Sequence, residues 1–302
     1  MRRFWLGVAA ATVVSACSGG NPWLEDEDGG GTDPVGDIPA ELLGDLDSFT
    51  YDPVAKTLVV SGVSLENRPY SVAYTRKPGL DVPGYEAYTT QDGSLGRHAT
   101  AYVQERDGAR AAIVVTGGQF GHYFGGSSYS RSGTYNPPTT ATTNGSVTYA
   151  GNYVGLLNVS GDGGDLEPVA PGTDIDIRPS QAAEVTGKVV INADFVDNQV
   201  NGVVYNRVIV DDAGIDLSSQ NIELAPTEIL SDGTFTGDAV QTLNGVGTYG
   251  GIFGGPEASA VAGTLFAEDH ITQINNVEEY GLFVLAQCGT ANADPICNQP
   301  SP

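Results

Sequence analysis

The stretch Ser146-Val147-Thr148-Tyr149-Ala150-Gly151-Asn152-Tyr153-Val154-Gly155-Leu156-Leu157-Asn158-Val159 decides the fold. Its odd positions are Val, Tyr, Gly, Tyr, Gly, Leu and Val. Its even positions are mostly Ser, Thr, Ala and Asn. A period of two sends one set of side chains to a core and the other outward, as in a β-strand. The same alternation returns in 187–196, where Val189, Ile191, Ala193 and Phe195 oppose Lys188, Asn192 and Asp194. It returns again in 233–240, where Phe235, Gly237 and Ala239 oppose Thr234, Thr236 and Asp238. Asp197-Asn198 turns one such strand back into Val200–Tyr205, a hairpin. Asn144–Gly155 and Asn244–Gly255 share six of twelve residues, including Tyr149/Tyr249 and Gly151/Gly251. The flanks do not align, so we read the echo as convergence on one barrel geometry, in which spaced glycines let strands coil.

Working outward, Thr57–Val63 and Tyr70–Tyr74 read as short strands. His98–Glu105 and Arg110–Thr116 flank an Asp107-Gly108 turn, the strongest short-range hairpin signal. No long stretch keeps a 3.6-residue apolar period, and the tightest helix candidate is the short Pro39–Leu46. The predicted class is all-β, an antiparallel eight-stranded barrel over 141–287 preceded by a smaller β-rich, handle-like region over 46–140.

The N-terminus is a different kind of segment. Arg2 and Arg3 precede an apolar run, Phe4–Val14. It is shorter than the roughly 20 residues a membrane span needs and suits a secretory signal. It ends in Val14-Ser15-Ala16-Cys17, which resembles the bacterial lipobox. Residues 1–16 then read as a lipoprotein signal peptide and Cys17 as the lipid attachment point, the acyl chains holding the protein on a membrane. Ser18, following the cysteine, resembles an outer-membrane address. Residues 17–45 carry Glu25-Asp26-Glu27-Asp28 and Gly29-Gly30-Gly31. They read as a disordered acidic tether, reaching on the order of 30 Å as a random coil.

The net charge is −24, and losing Arg2 and Arg3 with the leader takes it to −26. Such a chain has no basic surface for phosphates, so nucleic acid is excluded as a partner. Besides Cys17 there are two cysteines, Cys288 and Cys297. In an oxidising envelope they read as a disulfide tying down the tail, 288–302.

Residues 144–286 resemble the β-barrel domain of transferrin-binding protein B-like surface lipoproteins. Gly145–Gly155 is similar to that domain's opening strand, and Val189–Gly202, with Asp194-Phe195 and Val200-Asn201-Gly202, to its second hairpin. The most specific part is Phe253-Gly254-Gly255-Pro256-Glu257-Ala258 followed by Val261-Ala262-Gly263. Gly281-Leu282-Phe283 would be the closing strand. The resemblance implies an eight-stranded barrel with its own packed interior, on a surface-displayed, non-catalytic lipoprotein that captures a protein ligand. Family members bind haemoglobin, complement regulators or haemophores. The chain departs from the full receptor, which has two lobes, each with a handle and a barrel. Here there is one barrel, so transferrin binding does not carry over. The expectation is a lipid-anchored monomer in the outer membrane, facing the cell surface. It would bind a protein ligand such as an iron or haem carrier and need no cofactor. The alternatives are a structural envelope lipoprotein and a lipocalin-like carrier with a hollow barrel. Gly151, Gly155, Gly237 and Gly251 would leave room for a ligand, and Tyr153, Phe195 and Phe253 would fill it.

No catalytic motif is present: neither Gly-x-Ser-x-Gly, nor a phosphate loop, nor His-Glu-x-x-His. His98, His122 and His270 lie in unrelated contexts and read as structural. Gly161-Asp162-Gly163-Gly164-Asp165-Leu166-Glu167 lacks the spacing of a calcium loop and reads as a solvated acidic loop. The most binding-like segment is 117–136, rich in Tyr, Ser and Gly, the chemistry of adaptable protein-binding loops. Its candidate ligand-binding residues are Phe120, Tyr123, Phe124, Tyr129 and Tyr135.

Overall fold

A computed structural model describes residues 37–62, 71–139, 145–210 and 214–299. The signal peptide, Cys17 and most of the tether lie outside the described residues. So do Val63 and Tyr70, the outer ends of two expected strands.

The fold is all-β, as expected. Strands β1 (Leu46–Asp52), β2 (Thr57–Gly62), β3 (Ser71–Arg76), β4 (Glu86–Gln91), β5 (His98–Arg106), β6 (Ala109–Thr116) and β7 (Gly125–Arg131) form one antiparallel meander. Asp107 and Gly108, both at positive φ, make the two-residue turn between β5 and β6. Strands β8 (Ser146–Ser160), β9 (Ala182–Asp194), β10 (Gln199–Ile209), β11 (Ile222–Glu228), β12 (Thr234–Gln241), β13 (Asn244–Gly254), β14 (Ala260–Glu268) and β15 (Glu278–Ala286) follow. Each pairs with its sequence neighbour, and β15 closes on β8 through Leu282↔Val154 and Gly281↔Gly155, leaving no free edge.

The inward set of β8 is the predicted one. Val147, Tyr149, Tyr153 and Leu157 join a core with Val189, Ile191, Phe235, Tyr249, Phe253 and Phe283. The glycines admit rings. A Cβ on Gly281 would lie 1.8 Å from the Tyr153 hydroxyl, and one on Gly263 would lie 2.3 Å from the Phe283 ring. Phe195, Phe235 and Tyr149 each stack on Phe253 with centroids 5.0–5.5 Å apart. The interior is therefore packed, which removes the basis for a hollow, lipocalin-like carrier.

The even positions do not all face water. Val154, Leu156, Ile252, Ala260, Ala262, Leu282 and Val284 pack against Tyr102, Ala109, Ala111, Ile113, Val115 and Tyr129 of the seven-stranded sheet. β8 and β13–β15 are thus buried on both faces, and small residues let the two sheets approach. Elsewhere most exposed outward positions are polar, Asn192, Glu223, Glu228, Thr236 and Asp238 among them, with Val208 on β10 an apolar exception. That is the reverse of a lipid-facing belt. The sheet curls round a further core of Leu46, Tyr51, Leu58, Val60, Tyr88 and Val114.

The tether needs a correction at its end. Ile38 and Leu42 are buried in the joint, in and just before a one-turn helix α1 (Ala40–Leu43), and Ser127 donates to the Leu42 carbonyl at 2.7 Å. Two apolar residues spaced to reach one core outweigh the acidic composition around them. At the other terminus the expected Cys288–Cys297 disulfide is present. It holds Ile296 against Ala150, Val190 and Tyr205 on the outside of the barrel.

Candidate protein-binding surface

Three loops meet at one end of the seven-stranded sheet: 92–97 after β4, 117–124 after β6, and 161–181 between β8 and β9. The second is a tight turn. Gln119 and His122 pair across Phe120 and Gly121, both at positive φ. Phe is rarely held in that region, and here the turn lifts its ring off the sheet. The third carries a 3-10 turn, Ile175–Ile177, capped by the Asp174 carboxylate on the Asp176 amide at 3.1 Å.

Polar side chains bolt these loops together. Gln119 Nε2 donates to the Leu95 carbonyl at 2.9 Å and to the Ile177 carbonyl at 3.1 Å. The Arg97 guanidinium donates to the carbonyls of His122 at 2.6 Å, Gly117 at 3.3 Å and Gln119 at 3.3 Å, and stacks 5.1 Å over Phe124. Ser180 donates through its amide and its hydroxyl to Gly118. A Cβ on Gly117 would sit 1.4 Å from the Ser180 carbonyl oxygen, so only glycine allows the loops this close.

The long loop is clamped a second time. Asp165 accepts from Lys77 Nζ at 2.8 Å and Thr89 Oγ1 at 2.7 Å, and meets His98 Nε2 at 3.1 Å. The Glu167 amide donates to Gln91. Burial alone would raise the Asp165 carboxyl, but these donors outweigh it and hold it below its usual range. His98 is held low, mainly because burial disfavours its charged form. This corrects the reading of 161–167 as a solvated acidic loop: Asp165 is the clasp between the barrel's loop and the sheet. Among the described residues no three His, Cys, Asp or Glu side chains gather as metal ligands.

What this scaffold presents is apolar. Leu95 is 48% exposed, Phe120 61%, Ile175 71% and Ile177 38%. Of the five residues singled out in 117–136, Phe120 alone is on this surface. Tyr123 and Phe124 are half-buried and line a 40 Å³ pocket with Asp45, Glu278 and Tyr280. Tyr129 is buried in the sheet–barrel joint, where burial pushes its hydroxyl up to about 12. Tyr135 is half-buried, with Arg131 5.6 Å over its ring. Tyr129 is therefore withdrawn as a binding residue: β7 carries it against the barrel. Leu95, Ile175 and Ile177 were missed. Their signal is single apolar residues set in polar turns, Gly93-Ser94-Leu95-Gly96 and Asp174-Ile175-Asp176-Ile177-Arg178.

A second polar cluster lies inside the barrel. The β10 register shifts between Tyr205 and Val208, with Asn206 at positive φ. This bulge turns Arg207 inward. Arg207 pairs with Glu279, which also accepts from Tyr153 at 2.6 Å and meets His270 at 2.8 Å. Arg207 donates to the Gln220 carbonyl at 3.0 Å. All four side chains are within 1% of full burial, so the network is closed off from solvent. It seals one barrel end under Leu217, Ile271 and Val277. Two of the three histidines thus have structural partners.

No family model matches the chain, and no curated protein matches it. Solved structures do. A transferrin-binding protein B double mutant from Haemophilus parasuis is 12% identical, with a TM-score of 0.37, over 79% of this chain and 52% of that one. The isotype 1 transferrin-binding protein B of serogroup B Neisseria meningitidis is 12% identical, with a TM-score of 0.35, over 81% of this chain and 52% of that one. A protein described as a surface lipoprotein is 16% identical, with a TM-score of 0.35, over 76% of this chain and 97% of that one. The chain spans about half the length of these transferrin-binding proteins. The structures to which the chain is similar thus include the family that residues 144–286 resemble.

Proposed function

We propose that this chain is a non-catalytic lipoprotein, anchored through Cys17 and displayed at the outer-membrane surface, that captures a protein ligand such as an iron or haem carrier. The observation that carries the reading is the apolar patch of Leu95, Phe120, Ile175 and Ile177 on loops too tightly bolted to fold it away. Exposed apolar surface on a rigid frame is costly in water and is characteristic of a docking site. The packed barrel favours a macromolecule over a small internal ligand. The N-terminal motif supplies the anchor and the acidic stretch 17–36 the reach.

The test is paired capture. The full chain, made in a lipidating host and purified in detergent, is immobilised beside its Leu95→Ser/Phe120→Ser/Ile175→Ser variant. Both are exposed to fluid from the growth niche. A partner held by the native chain and lost by an equally stable variant supports the reading. No partner, or one held equally by both, overturns it. The anchor is checked separately by the mass of the mature N-terminus and by protease access on intact cells.

A further inference from the structure

Beside α1, at the edge of the joint, a groove of about 620 Å³ runs over the outer face of β12–β14. Val240, Gly245, Gly247 and Phe266 give it an apolar floor, and Glu41, Asp238 and Glu268 stand at its sides. Thr248 holds Glu41 in place at 2.6 Å. At one end the Thr242-Leu243 turn, both residues at positive φ, leaves Leu243 93% exposed. Phe266 stacks on Tyr280, 5.0 Å away, which carries the surface on towards Asp45 and Glu278.

The charge on this face is one-sided. From Val208 to Pro302 the chain holds thirteen Asp and Glu and no Lys or Arg. Glu268 and Glu278 are direct cross-strand partners. Like charges so placed cost stability, and a sheet keeping them breaks its own local rule. The Glu278 carboxyl is raised, first by burial and then by Glu268, Asp45 and Asp269. Among the described residues, no basic side chain pairs with Glu41, Asp45, Asp238, Glu268 or Glu278.

We propose that this groove docks a segment of a partner protein in which an apolar side chain is flanked by Lys or Arg. The apolar side chain lies on Phe266 and Val240 beside Leu243, and the cations face Asp238, Glu268 and Glu41. Charge selects this occupant over the chain itself. The Glu25-Asp26-Glu27-Asp28 stretch has the wrong sign; in a second copy Lys56, Arg76, Lys77, Arg110 and Arg207 are already ion-paired, and Arg97, Arg106, Arg131, Arg178 and Lys188 are held on acceptors of their own chain. The surface is distinct from the loop patch, and either can fail without the other.

The test uses the full chain in detergent and three labelled short peptides: alternating Lys and Leu, Lys and Ser, and Glu and Leu. Binding is read by fluorescence anisotropy at about 50 mM and about 300 mM salt, a range that screens exposed charges. The Lys–Leu peptide should bind, and the Lys–Ser and Glu–Leu peptides at least about tenfold more weakly. Glu41→Gln/Asp238→Asn/Glu268→Gln, all at exposed positions, should weaken Lys–Leu binding about tenfold or more, and Phe266→Ala should do the same at constant charge. Asp47→Asn/Asp197→Asn/Glu257→Gln lowers the net charge equally at other sites and should change little. Equal binding of Lys–Ser and Lys–Leu, equal effects of the two charge variants, or no binding at all overturns the proposal.

Discussion

Replacing Arg207 by methionine tests how the barrel end is held. Among the described residues the guanidinium is the only Lys or Arg group paired with Glu279, and neither it nor the carboxylate touches solvent. Burial works against the Glu279 charge, but Arg207, then His270 and Tyr153, more than reverse it and bring the carboxyl down to about 2 from 4.5. A depressed carboxylate contributes stability above its unfolded value and loses it as pH falls through the folded one. The lowering corresponds to roughly 3 kcal/mol, present above pH 4.5 and gone near pH 2. Arg207→Met removes that and strands a buried charge, so the expected loss at neutral pH is about 3–5 kcal/mol. Adding Glu279→Gln removes the stranded charge while keeping the acceptor for Tyr153, so the double variant should be more stable than Arg207→Met alone. Urea unfolding followed by far-ultraviolet circular dichroism, at pH 7 and near pH 4, measures both. The gap between wild type and Arg207→Met should narrow at the lower pH. A single-variant loss under about 1 kcal/mol, or a double variant no better than the single, refutes the reasoning.

Four further outcomes follow from the same geometry. Asp165→Asn gives up the Lys77 pair and the His98 contact, and should speed amide exchange in 161–181 by local opening worth about 1–3 kcal/mol, without unfolding the barrel. In the native chain the protection of that loop should fall with pH, first below 6.5, the ordinary value from which burial lowers His98, and further below 3.8, the value from which Asp165 is lowered. Replacing Cys288 and Cys297 by serine should cost about 2–3 kcal/mol for so short a loop. Exchange should rise around Ile296 while the β8–β15 closure persists. Tyr129→Ser should lower stability by about 3–5 kcal/mol, whereas Phe120→Ser should fall within about 0.5 kcal/mol of wild type, a contrast that thermal unfolding reads directly.

The strands of the barrel were legible because each obeys one strong local rule. Tyr149 and Tyr249 both point inward from the two echoing segments, each with its hydroxyl 2.6 Å from a backbone carbonyl. The echo is nonetheless convergence in use: Gly155 lies beneath Glu279, while Gly255 sits in a turn at positive φ. What composition could not separate was Phe120 from Tyr129. Both stand among Ser and Gly, and only their places, one on a turn and one on a strand facing the barrel, decide which meets water. The patch was hidden for a different reason. Leu95, Phe120 and Ile175 are joined through the Gln119 amide and the Asp165 carboxylate, contacts spanning up to 88 residues of sequence. Arg207 was hidden by a bulge, since a period-two reading assigns it the wrong face.

The failures of alternation carry information of their own. A barrel strand with one face in water alternates, but β14 reads Ala260-Val261-Ala262-Gly263-Thr264-Leu265, apolar almost without break, and β8 does the same at Val154–Leu157. Those are the strands the sheet covers. A strand buried on both faces loses its polar set, so unbroken apolar runs in an otherwise alternating barrel mark the side on which another layer sits. Where that layer ends, polar residues return abruptly: Phe266 is half-buried and Glu268 exposed on the same outward row of β14. The groove beneath α1 lies at this boundary, with an apolar floor because the joint begins there and carboxylate walls because the covered face stops. The loop patch lies at the same end of the sheet, since Tyr123 and Phe124 of the 117–124 loop border Glu278 and Tyr280, the neighbours of Glu268 and Phe266 in the groove. The fixed joint between sheet and barrel therefore sets the spacing of the two surfaces, and a single partner reaching both would meet them in one orientation.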